Sequence, residues 1–161
     1  MLTYNNGNNN PEALPTDRKS PILDMLTDAL NDEYSDYTKY MELSEKIDDT
    51  RDSGTVRSMA YDEYKHRRLF EEIYKALTGS APAEKNMSEE TADAGQSQSL
   101  RELLSESLFE ELDSVEFYRD IMSNVETPSV REILFEIITD EQSHAQIINY
   151  LLFKYCLEKQ Q

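Results

Sequence analysis

Apolar residues recur every three or four positions along most of the chain, the spacing that places side chains on one face of an α-helix. The first stripe follows Ser20-Pro21, which suits a helix cap and a first helical position, and ends before the polar residues 48–54. Its members are Ile22, Leu26, Ala29, Leu30, Tyr37, Tyr40, Ser44 and Ile47. The second stripe ends before Gly79, where a left-handed C-terminal cap is expected. Its members are Val56, Met59, Ala60, Phe70, Ile73, Tyr74 and Leu77.

Two further stripes lie in the second half of the chain. Ser99 and Glu102 match a capping box at the start of the third, and Thr127-Pro128 resembles a cap followed by a first-turn proline. The members of the third stripe are Leu100, Leu103, Leu104, Leu108, Val115, Tyr118, Met122 and Val125. The members of the fourth are Val130, Ile133, Leu134, Ile137, Ile138, Ala145, Ile148, Leu151, Leu152 and Tyr155.

The pattern predicts an all-α protein of four helices, each of about 25–30 residues. Short links make the first and second helices antiparallel, and likewise the third and fourth. The long segment 80–98 has no stripe, so it is predicted to cross over and leave the second and third helices parallel, as in the ferritin-like four-helix bundle. The predicted domain covers residues 20–159 as two hairpins, 20–79 and 99–159. The polar residues 1–19 are predicted to form a mobile N-terminal tail.

Each stripe contains ionisable residues at positions that face the core. The six residues are Glu33, Glu63, His66, Glu111, Glu141 and His144. An unpaired buried carboxylate costs several kcal/mol, whereas two divalent cations would balance four carboxylates, with the imidazoles as neutral ligands. Glu and His three residues apart lie on one helix face, so each Glu-x-x-His pair can address one site. A single such pair is also typical of an ordinary core histidine.

An internal repeat favours the metal interpretation. Glu111 follows Glu33 by 78 residues, and the same offset joins the other predicted ligands and their neighbours. These repeated pairs are Glu63 with Glu141, His66 with His144, Tyr40 with Tyr118, and Asp62 with Asp140. Two matching hairpins can pair about a pseudo-twofold axis with their carboxylates meeting on it. The sequence therefore predicts a two-metal centre.

Composition narrows the class of protein. The chain has 161 residues, 33 acidic and 16 basic side chains, a formal net charge of −17 and one Cys. This acidity argues against a nucleic acid or an anionic membrane as partner, because like charges repel. A single Cys excludes an internal disulfide and a Cys-based zinc site. No apolar run approaches a membrane span and no signal sequence is evident, so we expect a soluble, cytoplasmic protein.

Residues 21–158 resemble the rubrerythrin and ferritin-like di-iron carboxylate proteins, whose ligand set is a Glu from two helices and Glu-x-x-His from the other two. The resemblance depends on Glu33, Glu111 and the two motifs Asp62-Glu63-Tyr64-Lys65-His66 and Asp140-Glu141-Gln142-Ser143-His144. It implies two iron ions per chain, bridged by Glu63 and Glu141. Glu33 with His66, and Glu111 with His144, would be terminal ligands. Rubrerythrins have a further ligating Glu three residues after the third-helix Glu, where this chain has Ser114.

The resemblance also implies a function. It indicates a non-haem di-iron oxidoreductase that reduces H2O2 or O2 while Fe(II) is oxidised, as a peroxidase or a ferroxidase. Rubrerythrins with a rubredoxin module need four Cys for it, so the electron donor here would be a separate protein, such as a rubredoxin-like protein, or a small reductant. The resemblance further implies a homodimer. The open alternatives are a dimanganese catalase, iron binding or storage without turnover, and a bundle that keeps metal only for folding.

Four further residues are expected to support the centre. Tyr40 and Tyr118 lie two turns past Glu33 and Glu111 on the same faces, so they can hydrogen-bond terminal carboxylates or donate single electrons. Ordinary aromatic packing with a satisfied hydroxyl is the alternative. By resemblance, Asp140 would orient His66 and Asp62 would orient His144, since metal-bound His usually donates its second N–H to a carboxylate or carbonyl.

Overall fold

The computed structural model describes residues 16–83 and 98–157, with side chains for residues 21–83 and 98–155. It contains four helices: α1 (Thr16–Glu45), α2 (Thr50–Thr78), α3 (Leu100–Ser123) and α4 (Pro128–Leu152). A π-helical segment, Phe153–Leu157, follows α4. No strand occurs within the described ranges. The predicted all-α bundle is confirmed.

Local capping chemistry explains both ends of α2 and the start of α3. The Asp49 carboxylate accepts hydrogen bonds from the N–H groups of Arg51 and Asp52 and starts α2. Gly79 ends α2 in the left-handed region, with φ 76°, where a side chain would strain the backbone. Ser99 and Glu102 form the predicted capping box of α3. Thr127 occupies the cap position of α4, although its side chain makes no capping hydrogen bond.

Helix α1 differs from the prediction at its start. It begins at Thr16, and Pro21 lies inside it, so the prediction that the helix starts at Ser20-Pro21 is wrong. Proline has a φ that suits a helix. Pro21 lies near the start of α1, where its missing N–H removes a single backbone hydrogen bond, so one helical turn can precede it. Residues 1–15 of the predicted tail, 84–97 of the predicted crossover and 158–159 of the predicted domain lie outside the described residues, and the domain division stays a prediction.

The two hairpins pack against each other through α1 with α3 and α2 with α4. Glu33 of α1 accepts a hydrogen bond from Tyr118 of α3, while Tyr40 donates to Glu111. Later positions of α1 thus meet earlier positions of α3, and these helices are antiparallel. Because α1 is also antiparallel to α2, helices α2 and α3 run in the same direction, as predicted for the ferritin-like bundle.

The apolar stripes form two core clusters. One contains Leu26, Phe70 and Leu134, and the other contains Leu43, Met59 and Ile148. Full burial of one such side chain contributes about 1.5–3 kcal/mol, so these clusters are the main support of the bundle. Among the described helices, none is long and apolar enough to cross a membrane.

Candidate metal centre

The six ionisable residues of the stripes meet inside the bundle. Their exposed fractions lie between 0% and 4%. The residues are Glu33, Glu63, His66, Glu111, Glu141 and His144. Their positions follow from helical periodicity, because each occupies a gap in a stripe whose apolar members are buried. The structure therefore brings all six predicted ligands together.

The six side chains form two overlapping groups of four, in each of which one potential ligand atom per residue lies within 4.8 Å of the others. One group is Glu33, Glu63, His66 and Glu141, and the other is Glu63, Glu111, Glu141 and His144. Glu63 and Glu141 belong to both groups. This division matches the predicted one, in which these two carboxylates are shared and each metal has its own Glu and His.

Both imidazoles turn Nδ1 toward the shared carboxylates. His66 Nδ1 lies 3.1 Å from Glu63 Oε2 and 3.0 Å from Glu141 Oε1, and His144 Nδ1 lies 2.9 Å from Glu63 Oε1. The two rings are 6.0 Å apart between centroids. Each Nδ1 is thus in the position from which a neutral histidine would ligate a cation.

Several of these atoms lack a hydrogen-bond partner despite their short separations. They are Glu63 Oε1, Glu111 Oε2, Glu141 Oε1 and His144 Nδ1. Buried polar atoms are normally hydrogen-bonded, and an exception in a native structure calls for an explanation such as an ion. Two divalent cations would satisfy these atoms and balance the four carboxylates. The donor set of oxygen and imidazole nitrogen suits iron or manganese, so the residues present fit the implied pair of metals.

The opposite edge of each imidazole faces an aspartate of the other hairpin. His66 Nε2 lies 3.2 Å from Asp140 Oδ2, and His144 Nε2 lies 3.6 Å from Asp62 Oδ2. These pairs are the ones predicted. Asp140 is within hydrogen-bond distance of His66, whereas 3.6 Å between Asp62 and His144 is too long for a hydrogen bond. An acceptor at Nε2 keeps the proton there and leaves Nδ1 free for a metal.

We expect Asp140→Ala to weaken metal binding about 10–100-fold, the usual effect of losing a partner that orients a metal-bound histidine. Asp62→Ala should have a smaller effect, because its contact is longer and its side chain is 43% exposed against 33% for Asp140. Competition with a chromophoric chelator measures both affinities. Equal losses, or none, would contradict the orienting role.

Two tyrosines donate hydrogen bonds across the hairpin boundary to Glu33 and Glu111, the carboxylates that belong to one group each. Tyr118 Oη donates to Glu33 Oε1 at 2.6 Å, and Tyr40 Oη donates to Glu111 Oε1. Both rings are about 1% exposed, and burial, followed by the nearby carboxylates, raises the pKa of both phenols. Each phenol therefore stays protonated and fixes one carboxylate oxygen.

Lys39 makes a further link between α1 and α3, which the apolar pattern did not indicate. Its ammonium group lies 2.6 Å from Asp36 and also contacts Glu110. Burial, opposed by Lys39, raises the pKa of Asp36 to about 6. A lysine in the polar part of a helix gives no sequence signal of this kind, because the partner lies on a distant helix.

Without metal, the centre retains protons. Burial raises the pKa of Glu33 and raises that of Glu111 to about 9. Burial opposes protonation of His66 and His144, but the surrounding carboxylates outweigh it and raise the pKa of both imidazoles. The same imidazoles, against the effect of burial, lower the pKa of Glu141. Metal binding must therefore displace protons.

The metal-free protein should lose stability as the pH rises from 6.5 to 9. In that interval the unfolded chain has lost protons from His and Glu that the folded chain still binds, so deprotonation favours unfolding. The melting temperature in the presence of a chelator, recorded across the interval, measures the effect. A flat or rising profile would contradict the proposed protonation of the centre.

Comparison with known proteins places the chain in a family. Residues 24–98 and 102–160 match the family model described as Rubrerythrin. No curated protein matches the chain. The fold is similar to that of the Desulfovibrio desulfuricans bacterioferritin, whose X-ray structure was determined with its diiron site in different catalytic states. The TM-score is 0.69 and the sequence identity is 20%, and the match covers 93% of this chain and 86% of that one. Since the family model spans most of the sequence, the resemblance noted from the ligand motifs is confirmed, and this chain belongs to the rubrerythrin family.

Proposed function

We propose that this protein is a non-haem di-iron oxidoreductase that reduces H2O2 or O2 as Fe(II) is oxidised. The observation that carries the proposal is the pair of four-residue groups that share Glu63 and Glu141. Two ligand sets with common carboxylates would hold two metal ions side by side, so a single oxidant could contact both. Membership of the rubrerythrin family supports iron as the metal.

Two bound Fe(II) ions would each supply one electron, and together they would supply the two electrons needed to reduce one H2O2 to two waters. The protein would hold the ligand carboxylates in place and exclude water from the site. Tyr118 and Tyr40 hold one oxygen of each terminal carboxylate, and the nearly complete burial of the six ligand side chains limits the entry of water. Carboxylates also suit the reaction because they stabilise Fe(III), and they can change between bridging and terminal binding.

Metal analysis and rapid mixing test the proposal together. The metal-free protein is reconstituted with Fe(II) without oxygen, its iron content is measured, and it is mixed separately with H2O2 and with O2. We expect two iron ions per chain and faster oxidation by one of the two oxidants, with H2O2 favoured by the family. Less than one iron per chain after reconstitution, or no reaction with either oxidant, would contradict the proposal.

A second candidate function is iron binding or storage without turnover. The likeness of the fold to a bacterioferritin fits this function as well. Continued uptake well beyond two iron ions per chain would favour storage, whereas saturation at two would favour the oxidoreductase. A dimanganese catalase would instead release O2 from H2O2 in a manganese-loaded sample. The separate rubredoxin-like electron donor, the homodimer and the cytoplasmic location stay predictions.

A further inference from the structure

Three tyrosines form a continuous aromatic cluster between α1 and α2. The ring centroids of Tyr34 and Tyr37 are 6.3 Å apart, and those of Tyr37 and Tyr64 are 5.8 Å apart. The guanidinium carbon of Arg67 lies 5.5 Å from the Tyr34 ring centroid. Arg67 Nε is buried and makes no hydrogen bond. The same guanidinium lies 3.7 Å from Glu71 Oε1 through Nη2, so the Tyr34 ring and one carboxylate of its own helix contact this cation.

The cluster extends from the helices of the metal centre to the outer face of the first hairpin. Tyr37 is partly buried, lies one helical turn after Glu33 and packs against the core cluster that contains Tyr40. Tyr34 and Tyr64 are 36% and 45% exposed. Tyr37 is therefore the inner member, and the other two tyrosines are in contact with solvent.

The cluster is absent from the equivalent positions of the second hairpin. The offset of 78 residues that relates the ligands carries Tyr34 to Leu112, Tyr37 to Val115 and Tyr64 to Gln142, and it carries Arg67 to Ala145. Both hairpins fold as antiparallel helix pairs, so this packing does not require tyrosine here. The ligand set is duplicated, whereas the tyrosines occur on one side only, which indicates a use beyond packing.

We propose that Tyr37, Tyr64 and Tyr34 conduct single electrons between the metal centre and the outer face of the first hairpin; this inference rests on the proposed function. Reduction of O2 to two waters takes four electrons and four protons, and two Fe(II) ions supply only two electrons. Tyr37 and Tyr64 would each release one electron and one phenolic proton and become neutral radicals, and the other two protons would come from solvent water. Two equivalents of a small one-electron reductant in solution, such as ascorbate, then return two electrons through the exposed Tyr64, one of which passes on to Tyr37, and each tyrosine takes up one proton from water.

Arg67 makes the two exposed tyrosines of the path differ in how easily they are oxidised. A cation near the face of an aromatic ring is attracted by its π electrons, so removal of an electron from that ring becomes harder. Tyr34 lies beside the guanidinium and is therefore the most difficult of the three to oxidise. The oxidised site is expected to rest on Tyr64, the more exposed member.

The first test uses the metal-free protein and does not depend on iron chemistry. A ruthenium photo-oxidant creates tyrosyl radicals at the surface, a nitroso spin trap captures them, and mass spectrometry locates the adducts. We expect adducts on Tyr64 and also on the partly buried Tyr37. The Tyr37 adduct should be lost when both exposed tyrosines are changed in the double variant Tyr34→Phe/Tyr64→Phe.

Tyr61→Phe is the matched control. Tyr61 is 57% exposed on the same helix and makes no aromatic ring contact within the described part of the chain. The Tyr37 adduct should persist in this variant. An unchanged Tyr37 adduct in the double variant would overturn the proposal, because Tyr37 would then react without the outer tyrosines.

The second test uses the protein loaded with two Fe(II) ions per chain and mixed with O2 and the same spin trap. We expect an adduct on Tyr64 in the natural protein and in Tyr61→Phe, and its loss in Tyr37→Phe although iron is still oxidised. Iron oxidation without any Tyr64 adduct, or a Tyr64 adduct that survives Tyr37→Phe, would overturn the path. Failure of iron to oxidise at all would instead contradict the proposed function, and the metal-free test would still decide the path.

Discussion

Glu141→Ala is expected to leave the protein unable to hold two metal ions together. Glu141 belongs to both four-residue groups, as does Glu63, so its loss reduces each group to three protein ligands. It also removes a carboxylate that would balance metal charge in a site where burial makes imbalance costly. The metal content should fall from two ions per chain to one or fewer, and the spectroscopic signs of a coupled metal pair should disappear.

A carboxylate that belongs to one group only provides a comparison with Glu141, which belongs to both. Glu111 belongs to one group only, so Glu111→Ala should remove one metal and leave the other set of four intact. Glu132→Ala changes an exposed carboxylate on the helix that carries Glu141 and should leave two metals. Equilibrium dialysis with metal analysis measures these three variants and Glu63→Ala. A coupled metal pair that survives both Glu141→Ala and Glu63→Ala would show that these residues do not bridge.

Much of this centre could be predicted because two independent patterns agree in the sequence. Helical periodicity shows that Glu33 or His66 faces the core, and the offset of 78 residues shows that each has a counterpart in the second hairpin. A buried charge is expensive, so a duplicated set of buried charges has few explanations other than metal. The lengths of the links between the stripes, rather than the ligand pattern, predicted the helix pairs and their directions.

Contacts between hairpins could not be predicted in the same way. Periodicity describes one helix at a time. It indicated that Tyr118 can bind a carboxylate but not which one, and it gave no sign of the contact between Lys39 and Glu110, because both depend on how α1 lies against α3. The buried Asp52, which accepts from Lys154 and Tyr155 near the end of the described chain, lies in what the sequence suggested was a polar turn. Its burial depends on the last segment packing there. The tyrosine cluster was missed for a related reason, because Tyr34 and Tyr64 lie outside the apolar stripes.

The metal-free protein should become more stable when all six predicted ligands are replaced by leucine, a side chain of comparable volume. The six replaced residues are Glu33, Glu63, His66, Glu111, Glu141 and His144. Replacing buried ionic groups by packed apolar side chains is often neutral or stabilising by about 1–4 kcal/mol. Here the buried atoms that lack hydrogen-bond partners further destabilise the natural metal-free protein. We therefore expect the free energy of unfolding of the six-leucine variant to be higher by an amount within that range.

Urea unfolding followed by circular dichroism, with a chelator present, measures this difference. A double variant of exposed residues, Glu72→Leu/Glu132→Leu, controls for the general effect of added leucine and should change stability little. The natural protein should then gain about 4 kcal/mol per metal site, and so about 8 kcal/mol for two sites, when free metal is present at roughly a thousand times its dissociation constant. The six-leucine variant should gain nothing. A six-leucine variant less stable than the metal-free natural protein would show that the charged core supports the fold by itself. The expected result instead means that this bundle keeps its buried carboxylates and imidazoles at the expense of stability, which only the bound metal restores.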